Sequence, residues 1–214
     1  MSIRTQYDSD LEALKAALAE MGRSSADAVE DALEALCTAD ADAAAGIVKG
    51  DGRINNMERD IEHRCMTLLL RQQPVAGDLR RISTAMKVVT DMERIGDHAM
   101  NICGYSALLK EKNVHFSQEA REEIAEMRSV CMEAIDSLGT DVSDAVSWLT
   151  GVAALEQKMD DMTSQYRQSQ LNRMKSGTCS DEGCILFSEM LTDFERIGDH
   201  VLNIAQERSG ASLS

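Results

Sequence analysis

Asp91-Met92-Glu93-Arg94-Ile95-Gly96-Asp97-His98-Ala99-Met100-Asn101-Ile102 returns 102 residues later as Asp193-Phe194-Glu195-Arg196-Ile197-Gly198-Asp199-His200-Val201-Leu202-Asn203-Ile204. In each copy a glutamate is followed four residues on by an aspartate and eight on by an asparagine. At about 3.6 residues per turn, Glu93, Asp97 and Asn101 share one helix face, as do Glu195, Asp199 and Asn203. Two carboxylates one turn apart repel each other by roughly a few tenths of a kcal/mol. A hard or borderline cation would turn that repulsion into attraction, and the helix holds two oxygen ligands in register before anything binds. Carboxylate-only sites favour Mg, Mn, Ca or Fe; recruiting His98 or His200 would shift the preference toward Fe or Zn. Alternatively the histidines would donate hydrogen bonds behind the ligands.

Gly96 and Gly198 sit inside these helical runs, where glycine costs about 0.5–1 kcal/mol relative to alanine. Their presence implies that another helix passes close by and brings further ligands. Asp160 in the second half is one candidate; Asp10 and Glu119, on the first helix of each half, are others. Arg94 and Arg196, next to the glutamates, would tie the carboxylates down when no metal is present. A bland reading stands beside this one: a Glu-x-x-x-Asp pair is usually a solvated charge pair on a helix surface. The joint repetition of glutamate, arginine, glycine, aspartate, histidine and asparagine within one chain keeps both a metal site and a structural or partner-binding surface open.

A period of about half the 214-residue chain argues for a duplicated domain, at 1–112 and 113–214, rather than a short-repeat solenoid. Weaker matches extend the repeat upstream: Asp42-Ala43 resembles Asp144-Ala145, and Ile54-Asn55 resembles Met159-Asp160. Leu11, Leu14, Leu18, Met21, Ser25, Ala28, Ala32 and Ala35 recur at spacings of three and four, which predicts one long amphipathic helix over 5–38. A second helix is expected over 40–72, ended by Pro74, the only proline. A third runs over 78–109, capped at or near Asp78, and carries the first motif. After a linker from Lys110 to Ser117, the plan repeats over 118–138, 141–175 and 181–207, with a helix stop at Lys175-Ser176-Gly177-Thr178. No window shows the period-two alternation of a strand. The expected fold is all-α: two tandem, pseudo-symmetric three-helix bundles. Methionines at helical spacing are read as core, and His63, alone in the second helix, as a surface or core residue rather than a ligand.

A formal net charge of −15, with only 3% aromatic residues, disfavours contact with nucleic acid. No run of eighteen apolar residues and no signal pattern appear, so a cytoplasmic location is expected. Cys37, Cys65, Cys103, Cys131, Cys179 and Cys184 form no Cys-x-x-Cys pair and read as small hydrophobes, although Cys179 and Cys184 flank a loop and could meet. The di-iron oxidases of helical-bundle type require Glu-x-x-His, which is absent. So are a phosphate-cradling glycine-rich loop, a nucleophile elbow and a zinc-protease histidine pair. The expectation is that the chain is not an enzyme.

Arg71-Gln72-Gln73-Pro74-Val75-Ala76-Gly77-Asp78-Leu79-Arg80, followed by Glu93-Arg94-Ile95-Gly96-Asp97 and a second Glu195-Arg196-Ile197-Gly198-Asp199, resembles the PhoU proteins. The likeness covers nearly the whole chain, including Gly50-Asp51 ahead of the second helix; the second half lacks the usual proline between its last two helices. The resemblance implies a cytoplasmic negative regulator of phosphate uptake and phosphate-starvation signalling. Its implied partners are the ATPase of the phosphate-specific ABC transporter and a phosphate-sensing histidine kinase, between which it acts as an adaptor. The resemblance also implies multinuclear iron or zinc, or another divalent cation, on Glu93/Asp97 and Glu195/Asp199, and a homodimer; some relatives carry no metal. The alternatives are a metal-binding or phosphate-handling protein in its own right, or an accessory subunit of a different phosphate transporter.

Overall fold

The computed structural model describes residues 3–38, 47, 52–72, 74–139 and 144–212. Among these residues there are six long helices and no strand. They are α1 (Ile3–Thr38), α2 (Gly52–Gln72), α3 (Ala76–Glu111), α4 (Gln118–Ser137), α5 (Ala145–Lys175) and α6 (Asp181–Ser212). The chain is thus all-α, with two three-helix bundles in tandem. The expected start of the second helix near Asp40 lies outside the described residues, apart from the helical Ile47.

Helix ends follow local chemistry, with three departures from the sequence reading. Val75, extended at φ −67 and ψ 162 after Pro74, is the N-cap of α3 and offers no side-chain cap. Asp78 therefore does not cap; it lies in the first turn, where a carboxylate faces the positive end of the helix dipole. The helix expected from Asp141 starts at Ala145, because Asp144 is extended and its side chain accepts from the N–H groups of Val146 and Ser147. At the far end, α6 continues past residue 207 to Ser212. Ser117 caps α4 as the linker reading implies, accepting from Ala120 N. Gly177 closes α5 with φ 70, and Thr178 N–H returns to the Arg173 carbonyl at 3.0 Å. A left-handed residue followed by that bond satisfies the last carbonyls of the helix.

The apolar stripes pack as their spacing demands. Leu14, Met21, Ile61, Leu68, Ile82 and Val89 form the core between α1, α2 and α3. A second cluster is built on Met127, Met159, Phe187 and Phe194 of α4, α5 and α6, and it extends across the bundle boundary to Val29, Leu33, Ile95 and Ile102. Both bundles therefore share apolar core along α3 and α6, whose contact is the most extensive between any two helices. Methionine serves as core filler, with Met21, Met127, Met159 and Met190 fully buried. His63 is exposed. Cys65, Cys103 and Cys131 are buried as expected, but Cys37 is exposed and Cys179 and Cys184 are only partly covered, because they lie at helix ends and a loop. No helix among the described residues is long and apolar enough to cross a membrane.

Candidate functional site

α3 and α6 cross with their motifs face to face and running in opposite directions. His98 of the first motif lies 2.7 Å, Nδ1 to Oδ1, from Asp193, the first residue of the second motif. Reciprocally, His200 Nδ1 lies 2.8 Å from Asp91 Oδ1. The two imidazoles stack with centroids 5.6 Å apart. An ionised carboxylate only accepts, so Nδ1–H donates in each pair. Asp193 is buried and also accepts from Asn101 Nδ2 at 3.0 Å and from Tyr105 OH at 2.7 Å. Burial, then the bond to Asp193, raises the Tyr105 phenol far above its ordinary value, so Tyr105 holds the proton it donates. Asp91 accepts from Asn203 Nδ2 at 3.3 Å. The position 102 residues after Tyr105 is Glu207, which pairs instead with Lys87 at 2.8 Å.

The opposite stripe of each motif helix faces the second helix of its own bundle. A Cβ on Gly96 would stand 2.9 Å from Ile54 Cδ1, and one on Gly198 would stand 3.2 Å from Met159 Sδ. The glycines thus admit the close helix that the sequence implies. In the second bundle this approach brings Glu156, Asp160 and Asp199 together, with one carboxylate oxygen of each within 4.8 Å of the others. Asp160 Oδ1 is buried with no hydrogen-bond partner. Burial, then the charge of Asp199, raises the Asp160 carboxyl above its ordinary value; burial, then Asp160 and Asp199, does the same to Glu156. Arg196 pairs with Asp199 at 3.1 Å, and Arg167 of α5 pairs with Glu195 at 3.2 Å.

The first bundle is not an equal copy. Ile54 and Met159 each fill the space over a motif glycine, so the residue that follows each is in matching position: Asn55 in the first bundle, Asp160 in the second. The residue matching Glu156 is Asp51, which lies outside the described residues. Arg94 spans Glu93 at 3.7 Å and Asp97 at 3.3 Å. Glu58 is raised by burial, then by Glu62, against the opposing pull of Arg94 and Arg59.

Asn101 lies three residues after His98 and four after Asp97, so it borders both stripes; its amide donates to Asp193, and that of Asn203 donates to Asp91. Asp10 accepts from Gln6 at 2.9 Å, and Glu119 sits in the first turn of α4, its carboxyl held below the ordinary value by backbone N–H and Ser117. Neither joins the acidic cluster. Four contributors were not singled out from the sequence. Glu156 precedes Asp160 by one turn, a spacing that was there to be read. Asp91 and Asp193 head each repeated segment, and their repetition was the available signal. Nothing local marked Tyr105.

Comparison with known proteins agrees with this architecture. The family model described as PhoU domain matches residues 18–106. The chain is 32% identical over 205 residues to the phosphate-specific transport system accessory protein PhoU homolog of Clostridium acetobutylicum, covering 95% of this chain and 92% of that protein. It is 28% identical over 209 residues to the phosphate-specific transport system accessory protein PhoU of Escherichia coli, covering 95% and 84%. The crystal structure of PhoU from Pseudomonas aeruginosa superposes with a TM-score of 0.88 at 29% identity, covering 97% of this chain and 99% of that one. The domain match ends within α3, whereas the whole-length likenesses run on through the second bundle and its motif. With the doubled motif, the tandem bundles and these matches in agreement, the chain belongs to the PhoU family.

Proposed function

We propose that this chain is a cytoplasmic negative regulator of phosphate uptake and phosphate-starvation signalling. It acts as an adaptor between the ATPase of a phosphate ABC transporter and the cytoplasmic part of a phosphate-sensing kinase. The relatives' names, accessory proteins of a phosphate-specific transport system, support the phosphate role. The observation that carries the docking role is an apolar group on both sides of the Pro74 turn: Met66 and Leu70 at the end of α2, Val75 and Leu79 at the start of α3. Leu70 and Val75 are 79% and 70% exposed. Large apolar side chains at such exposure, clustered at one end of a bundle, mark a contact surface.

A cation bound in the second bundle is the other part of this reading. The buried, unpartnered Asp160 Oδ1 beside Glu156 and Asp199 fits a metal, since a carboxylate without a hydrogen-bond partner is costly unless a cation completes it. Glu156, Asp160 and Asp199 would hold it, with Glu195 available by release of Arg167. All of these donors are carboxylates, which suits iron or a hard divalent ion better than zinc. A bound cation supplies positive charge that draws α5 and α6 together. A homodimer is proposed on family likeness alone.

The test of the adaptor role is capture from phosphate-replete cells by full-length protein. Wild type should retain the transporter ATPase or the kinase, and Leu70→Glu/Val75→Glu should lose it while staying helical. Removal of the gene should switch on a phosphate-starvation reporter in high phosphate. Recovery of neither partner, with the reporter silent, contradicts the proposal. Recovery of a different phosphate transporter would favour the accessory-subunit alternative.

A further inference from the structure

Two thiols in the second bundle take no part in the function above. The loop from Ser176 to Ser180 leads from α5 into α6 and is turned by Gly177. Cys179 stands at its end, and Cys184 is in the first turn of α6, its N–H bonded to the Ser180 carbonyl at 2.9 Å. The two sulfurs lie 2.9 Å apart and both residues are partly exposed. Cys65, Cys103 and Cys131 are instead sealed in the core. Gly183 makes room for the contact: a Cβ there would stand 3.4 Å from Cys179 Sγ and 3.1 Å from Ser180 Oγ.

The Cys179 sulfur is held in place by a chain of bonds. Gln170 Nε2 donates to it at 2.9 Å, and Gln170 Oε1 accepts from Arg173 Nε at 2.7 Å. The other nitrogens of Arg173 fork onto Glu123 at 3.0 and 2.6 Å, and its guanidinium lies over the Phe187 ring. This cluster ties α4, α5 and α6 together, with the dithiol at its loop end.

We propose that Cys179 and Cys184 form a peroxide-oxidisable dithiol site, whose product is an intramolecular disulfide pinning the α5–α6 loop to the first turn of the second motif helix. One sulfur attacks a peroxide oxygen; the O–O bond breaks, an S–O bond forms, and the departing oxygen leaves as water with the thiol proton. The resulting sulfenic acid is attacked by the second sulfur, its S–O bond breaks, and the hydroxyl leaves as water with the second thiol's proton. In total, two thiols lose two electrons and one hydrogen peroxide becomes two waters. A resolving thiol already in contact makes the second step intramolecular, so it outruns further oxidation of the sulfenic acid.

The experiment exposes reduced full-length protein to graded hydrogen peroxide, alkylates the remaining thiols, and reads peptides and intact mass by mass spectrometry. The expected result is loss of two free thiols, a mass lower by two hydrogens, and one linked Cys179–Cys184 peptide that a reductant reverses. Cys179→Ser and Cys184→Ser should each abolish the link. Hydrogen exchange over residues 176–184 should slow in the oxidised wild type. Recovery of both cysteines alkylated at every peroxide dose would overturn the proposal, as would their conversion to sulfinic or sulfonic acids without a link. A disulfide that leaves exchange in the loop unchanged would overturn the pinning.

Discussion

His98 and Asp193 meet at 2.7 Å across the crossing of α3 and α6, joining residues 95 positions apart in the chain. Because His200 and Asp91 repeat the contact at 2.8 Å, each copy of the motif supplies the donor for the other copy's acceptor. The repeated chemistry of each copy is divided between two faces: Asp, His and Asn join the bundles, while Glu and Asp face the second helix of the same bundle.

The two ends of this seam should differ in strength. Asp193 is 5% exposed and accepts from three donors, whereas Asp91 is more open and accepts from two. Asp193→Ala strands His98, Asn101 and Tyr105 and should cost about 2–4 kcal/mol in urea unfolding. Asp91→Ala should cost about 1 kcal/mol, because water reaches its donors. Equal costs, or the reverse order, would show that the seam does not carry inter-bundle stability.

The motif glycines should also respond unequally. Gly96→Ala gains about 1 kcal/mol of helix propensity but puts a methyl 2.9 Å from Ile54 Cδ1 and 3.3 Å from its Cγ2, so a β-branched neighbour must move. A net loss of about 1–2 kcal/mol is expected, and in a double-mutant cycle Gly96→Ala should cost little in the Ile54→Ala background, although Ile54→Ala itself loses core packing. Gly198→Ala meets the flexible end of Met159 at 3.2 Å and should be close to neutral.

Much of this was legible in the sequence. The stripe through Leu14, Met21, Ser25, Ala32 and Ala35 is the buried face of α1, and the glycine-containing stretch at 175–178 is where α5 stops. Legibility fails where one helix residue borders two faces. Asn101 is within a turn of both His98 and Asp97, and only the antiparallel crossing decides that its amide serves Asp193. The same crossing pairs His98 with the distant Asp193 rather than with its own copy's Asp91, a swap that no spacing encodes. The unequal acidic clusters were half visible, since Asn55 aligns with Asp160, but Glu156 gains meaning only once Met159 is seen against Gly198.

The second-bundle cluster should make metal-free protein prefer lower pH. Asp160 and Glu156 have carboxyls raised above their ordinary values, so the folded state binds more protons than the unfolded chain in that interval. Their contribution is therefore fully present below the ordinary carboxylate range and is lost as pH climbs through the raised values. Asp160→Asn, which copies the Asn55 of the first bundle, removes the repulsion. At pH 7 in chelator it should raise the melting temperature by about 1–3 °C and flatten the pH dependence in that range. A lower melting temperature would mean that the Asp160 carboxylate is already compensated.

Metal content after anaerobic purification tests the division of the motif most directly. The comparison is wild type against Glu156→Gln/Asp160→Asn/Asp199→Asn and against Glu93→Gln/Asp97→Asn, with folding checked by circular dichroism. The second-bundle variant should lose most of the bound metal and the first-bundle variant little, because the second bundle sets Asp160 where the first has Asn55. Equal metal in all three proteins, or a larger loss in the first-bundle variant, would contradict this division.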